Sequence, residues 1–203
     1  KAPLPFAHTN GHDDPEARHW IRAAQTEWTS VATFMVVREQ LRSLGAPQAL
    51  IARYSTAAED EYYHTLGAGA LVCAAGIDSL SLGSPLTGEP DFQGDLSAIA
   101  TEAFWDGCVG EGLAAQLAFD RTHSAQSSAE ADYLKLVAQE EESHAELAWD
   151  TVKWVLGTGD RMSRQLLTDA LDIEPENNLD AAASERFKLI TTRAKARLGT
   201  MLV

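Results

Sequence analysis

Cysteine is almost absent: Cys73 and Cys108 are the only two in 203 residues. Two lone thiols, both within helix-like patterns, cannot build a disulfide scaffold and suit a reducing compartment, so a cytoplasmic location is expected. Long apolar runs are also missing. No stretch approaches the roughly 18 residues that a membrane helix needs. No basic-then-apolar leader opens the chain, although a start at Lys1 rather than Met leaves the removal of an earlier segment open. Basic residues are scarce, 16 Lys and Arg against 30 Asp and Glu, giving a net charge of -14. Such a chain repels phosphates and is not expected to bind nucleic acid. No β-rich segment stands out. What remains is an ordinary globular composition, 45% hydrophobic and 23% charged, of a length that suits one core.

Turn residues divide this core-forming material into helices. Residues 1–12 are punctuated by Pro and Gly and read as an N-terminal arm. A first helix is expected from Asp13-Asp14-Pro15, an acidic start with Pro in the first turn, to about Leu44. Gly45-Ala46-Pro47 stops it, and a second helix follows at once to about Gly76, so these two must be antiparallel neighbours. Residues 77–94, rich in Gly, Pro and Ser, read as a long crossover that frees the third helix from lying antiparallel to the second. The third helix is expected at about 95–123 and the fourth at about 129–156. Residues 13–159 therefore read as two helix hairpins. Residues 160–203 read as a C-terminal helical extension, with a last helix carrying the stripe Phe187, Ile190, Ala194, Leu198 and Met201. Five basic residues there, including Arg186 and Arg197, suit docking on an acidic bundle or on a second subunit.

The apolar stripes of the four helices are interrupted by ligand-type residues. On the second helix the stripe runs Leu50, Tyr54, Ala57, Glu61, His64, Ala68, Leu71, Ala75, with steps of three and four. The fourth helix repeats it eighty residues later as Leu134, Val137, Glu141, His144, Ala148, Thr151, Val155. Glu27 lies in the stripe Trp20, Ala24, Glu27, Val31, Phe34, and Glu111 in Phe104, Cys108, Glu111, Ala115, Ala118. A carboxylate facing a core is expensive unless a cation or a full hydrogen-bond network receives it. Carboxylates and neutral imidazoles without thiolates suit Fe(II) and Mn(II). Four carboxylates nominally neutralise two divalent cations.

The order Glu, Glu-x-x-His, Glu, Glu-x-x-His is similar to that of the ferritin-like di-iron carboxylate proteins, whose metal sites lie inside four-helix bundles. The resemblance covers about residues 14–157, and the segments GCVGEGLAA and EEESHAELAW look like those of bacterial ferritin-like domain proteins. It implies an all-α, ferritin-like four-helix bundle with one long crossover between the second and third helices and extra C-terminal helices. It implies that Glu27 and His64 serve one metal, that Glu111 and His144 serve the other, and that Glu61 and Glu141 bridge the two. Through the same resemblance, Asp60 is paired with the ring of His144 and Glu140 with that of His64; exposed acids beside the motif are the plain alternative.

Three glycines in the run Asp106–Gly112 are costly inside a helix, at up to about 1 kcal/mol each relative to Ala. Close helix packing is one explanation; a π-bulge or a cavity beside the metals is the other. Trp28, Tyr54, Tyr63, Trp105 and Trp149 either shape that cavity, relay electrons or form plain core and surface. His8, His12, His19 and His123 match no ligand pattern and are expected at the surface.

The function expected is that of an oxidoreductase, a non-haem di-iron oxidase or oxygenase in which two iron ions, or manganese or a mixed pair, activate dioxygen to oxidise a small organic substrate. An electron donor is then required, and a homo-oligomer is an open possibility. The alternatives are a ferritin-type ferroxidase or iron-storage protein, a dimanganese catalase, and a bundle that serves only as a binding module. A rubrerythrin is disfavoured, since two lone cysteines cannot make its second iron centre.

Overall fold

The computed structural model describes residues 14–86, 89–174, 179 and 181–203. The expected N-terminal arm lies outside the described residues. Among the described residues the chain is all helical. Helix α1 spans Pro15–Ser43, α2 Gln48–Ala74, α3 Leu96–Glu102, α4 Gly112–Arg121, α5 Ser128–Gly157, α6 Arg161–Ala170 and α7 Ala181–Leu202. A π-helical segment, Ala103–Glu111, joins α3 to α4, so that these three form one continuous rod. No helix among the described residues is long and apolar enough to cross a membrane.

Local chemistry sets the helix boundaries. Asp14 caps α1 by accepting from the Glu16 amide, with Pro15 in the first turn. Asp95 caps α3 through the Ser97 and Ala98 amides. At α5, Ser127 accepts from the Glu130 amide while the Glu130 carboxylate accepts from the Gln126 amide, a variant of the capping box shifted back by one residue. Gly45, at a φ of 74°, takes the left-handed turn that closes α1 and reverses the chain into α2.

The long connection runs back along α1. Gly83 accepts from the Trp28 indole, Asp91 accepts from the Gln40 amide side chain, and the Gly94 amide donates to Ser43. The chain thus climbs from the middle of α1 to its C-terminal end before the third rod begins. The third rod consequently descends beside α1 and ends where Arg121 pairs with Glu16, near the start of α1. It runs parallel to α2, and α5 returns antiparallel to it. Together α1, α2, the third rod and α5 form a helical bundle.

The bundle has two apolar clusters rather than one. The larger gathers Leu41, Leu50, Tyr54, Phe104, Val152 and Leu167, among others, toward the C-terminal end of α1. The smaller gathers Trp20, Ala24, Ala68, Val72, Leu134 and Val137 toward its N-terminal end. Between them lies a polar layer. Helix α7 docks on the outside of the third rod and against α6, burying Ala194 and Leu198, and reaches α5 through Arg197. Arg186 bonds Asp120 at 2.7 Å, and Arg197 grips Glu146 with two nitrogens.

Candidate metal centre

The polar layer is made by the six residues singled out from the sequence stripes. Glu61 and His64 have no accessible surface, and Glu141 and His144 keep 2% and 3%. Glu27 and Glu111 are partly accessible as residues. One ligand atom from each of Glu27, Glu61, His64 and Glu141 lies within 4.8 Å of the others, and the same holds for Glu61, Glu111, Glu141 and His144. Glu61 and Glu141 belong to both groups. Each group could hold a metal ion.

Two features show how the donor atoms are aimed. His64 Nε2 lies 2.7 Å from Glu140 Oε2, and His144 Nε2 lies 3.2 Å from Asp60 Oδ2. The Nε2 proton of each ring is thereby directed outward, to an acid on the neighbouring helix. Each Nδ1 then faces the carboxylates: that of His144 is 3.1 Å from Glu61 and 3.3 Å from Glu141, that of His64 3.6 Å from Glu141 and 3.7 Å from Glu61. Fixing one ring nitrogen by a hydrogen bond sets which nitrogen is left for a cation. The second feature is unsatisfied chemistry. Neither Glu61 oxygen nor His64 Nδ1 makes an aligned hydrogen bond, although His144 Nδ1 stands 3.1 Å from Glu61. Leaving a buried carboxylate so is costly, and a divalent cation among these atoms removes the cost.

The protonation of the metal-free cluster follows from the crowding. Burial, then the neighbouring Glu61, raises Glu27 well above the usual carboxylate range. Burial and Glu141 do the same to Glu111. Burial opposes ionisation of Glu61 too, but His144, His64 and Glu27 outweigh it and hold that carboxyl at about 2. Burial would depress both imidazoles, yet the carboxylates around them win, raising His64 and pushing His144 up to about 11. The crowded carboxylates thus favour retention of protons on Glu27, Glu111 and the two imidazoles.

The helices place this layer by register. Glu61 and His64 are one turn apart on α2, as Glu141 and His144 are on α5, and Glu27 and Glu111 enter from α1 and the third rod. Glu111 is the last residue of the π segment. Gly107 explains itself by close packing: a Cβ there would stand 2.4 Å from that of Ala148. Both explanations offered for the glycine run thus apply within a few residues of each other.

Of the aromatic candidates, Tyr63 is 64% exposed and shapes no interior space. Trp28 anchors the long connection, Tyr54 bonds Thr151 in the core, and Trp149 lies under the Arg197 guanidinium. Trp105 packs edge-on against Phe104. His19 and His123 are exposed, while His8 and His12 lie outside the described residues. Sequence reasoning missed Tyr133, whose hydroxyl donates to the His64 carbonyl at 2.8 Å and whose ring covers Gly67. The available signal was its position two helical steps of four before Glu141, on the same face. Phe34, one ring centroid 5.1 Å from His144, closes the layer from the larger cluster.

Removing the outer acids gives a first test. Asp60→Ala and Glu140→Ala each free one imidazole to reorient, and metal affinity is expected to fall about 10- to 100-fold. Competition with a chelator of known affinity reads this loss; an unchanged affinity in both variants would show that the outer acids do not orient the rings. Compared with protein-family models, with curated proteins and with solved structures, the chain gives no match.

Proposed function

We propose that the chain is a ferritin-like di-iron carboxylate protein and that it oxidises a small organic molecule with dioxygen. The observation that supports this best is that two four-residue groups share Glu61 and Glu141, the pattern a pair of bridged ions requires. Glu27 and His64 would hold one ion and Glu111 and His144 the other, with Glu61 and Glu141 available to both. Two reduced irons held there would supply dioxygen activation, chemistry that the side chains themselves lack. The side chains hold, orient and shield. Asp60 and Glu140 keep the Nδ1 lone pairs of His144 and His64 inward. The apolar clusters above and below the layer exclude bulk water. Hard carboxylate oxygens with one imidazole per ion favour iron or manganese over softer metals.

A ferroxidase reading uses the same residues with Fe(II) itself as substrate, and the net charge of -14 favours the approach of cations. Metal analysis of protein purified without added metal tests the proposal. About two irons per chain, with an optical change when the reduced protein meets dioxygen, is the expected result. A large hollow assembly on size-exclusion chromatography would turn the reading to iron storage, and manganese with oxygen evolution from peroxide would turn it to a catalase. Protein that retains no metal at all would end it.

A further inference from the structure

Beside the metal layer, α4, α5 and α7 enclose a cleft of about 800 Å³, within the size range of small-molecule sites. Its lining adjoins the candidate ligands along the chain: Gly112 follows Glu111, Glu142 follows Glu141, and Ala145 follows His144. The same two segments thus carry the ligands and line the cleft. Alanines and a glycine leave the floor open, and Phe119, Trp149 and Ile190 make it apolar.

Three cations and two carboxylates, Glu142 and Glu146, line it, a small positive excess in an acidic molecule. In a chain of net charge -14, Lys135, Arg193 and Arg197 all line this one cleft. Arg197 is spoken for: Glu146 holds it by two bonds, and its guanidinium lies 4.4 Å from the Trp149 ring centroid. Among the described residues Lys135 pairs with the exposed Asp132 alone, at 3.1 Å, a contact of small energy. Arg193 has no carboxylate partner among the described residues. An unpaired guanidinium above an apolar floor recognises a carboxylate with a hydrocarbon or aromatic body, since the fork geometry accepts two oxygens while the body buries its surface.

We propose that this cleft binds a small amphipathic carboxylate, with Arg193 as its anion anchor. The inference rests on the oxidase reading for the further step that this molecule is the substrate; binding itself needs no metal. Titration calorimetry of the full chain with octanoate, octylamine and acetate tests it. Octanoate is expected to bind, whereas octylamine, of the wrong charge, and acetate, without the apolar body, are not. Arg193→Glu should weaken octanoate at least tenfold, about 1.4 kcal/mol, and Arg193→Lys should keep part of the affinity. Because Arg193 is exposed, neither change threatens the fold, and circular dichroism with metal content verifies this. No octanoate binding, equal binding of octylamine, or unchanged affinity in Arg193→Glu would overturn the assignment. Normal metal content beside any of these results would leave the di-iron reading standing, and octanoate binding to a protein without metal would leave the cleft standing alone.

Discussion

Alanine at Glu141 is expected to abolish metal loading at both sites, and alanine at His144 to abolish at least one, with helix content unchanged. Glu141 offers an oxygen to each of the two groups, whereas His144 serves only the group that contains Glu111. The helices survive because the two apolar clusters are built independently of the polar layer. Loading also has a stability signature. A ligand that binds only the folded chain at a hundred times its Kd adds about 2.7 kcal/mol. At roughly 2–4 °C per kcal/mol for a chain of this size, the wild type should melt about 5–10 °C higher with metal than without. In Glu141→Ala this difference should vanish. Loading should also release protons. In the metal-free protein Glu27, Glu111, His64 and His144 are all raised above their usual ranges. A cation must displace those protons, so apparent affinity rises with pH and falls on acidification. Elemental analysis, melting curves and calorimetry in buffers of different ionisation heat read the three effects. Full metal content in both variants would remove the six-residue assignment.

The parts of this molecule that were legible in its sequence are those written at short range. Periodicity located the four long helical segments, because each buries one stripe. Gly45 and Pro47 marked the tight reversal, and the Gly, Pro and Ser of residues 77–94 marked the long connection. The six clustered residues could be named because each replaces an apolar residue at a stripe position, and repetition at eighty residues distinguished them from chance. The π segment was only half visible. Three glycines near Glu111 flagged an irregularity, but a shift from four- to five-residue hydrogen bonding leaves no composition of its own. Tyr133 was legible only as a residue on the Glu141 face, because its role depends on Gly67 of another helix. The cleft was not legible: Lys135, Arg193 and Arg197 come together only when α7 docks on the third rod and reaches α5. The basic content of α7 suggested docking on acidic surface, and Arg186 and Arg197 do pair with Asp120 and Glu146. Where the remaining cation would point is a property of the assembled fold.

Gly107→Ala should strain the contact between the π segment and α5 and destabilise the fold. The new carbon would lie 2.4 Å from the Ala148 Cβ, well inside van der Waals contact, and 3.7 Å from its Cα. Neither partner is the movable end of a long side chain, so the π segment and α5 must separate. Overpacking of this kind costs about 1–3 kcal/mol, against which the better helix propensity of Ala returns at most about 1 kcal/mol. The damage reaches the metal layer because Gly107 is four residues from Glu111 and Ala148 four from His144. Glu111 and His144 belong to one group of four, whereas Glu27 and His64, which belong to the other, stand on α1 and α2. The variant should therefore melt lower and should lose affinity for one metal before the other, giving two distinguishable steps in a metal titration. Ala148→Gly added to Gly107→Ala removes the clash while conserving the summed volume. The pair should recover stability and the single-step titration, a coupling that a double-mutant cycle measures. Independent, additive losses in that cycle would show that the glycine is required by the π segment itself and not by its contact with α5.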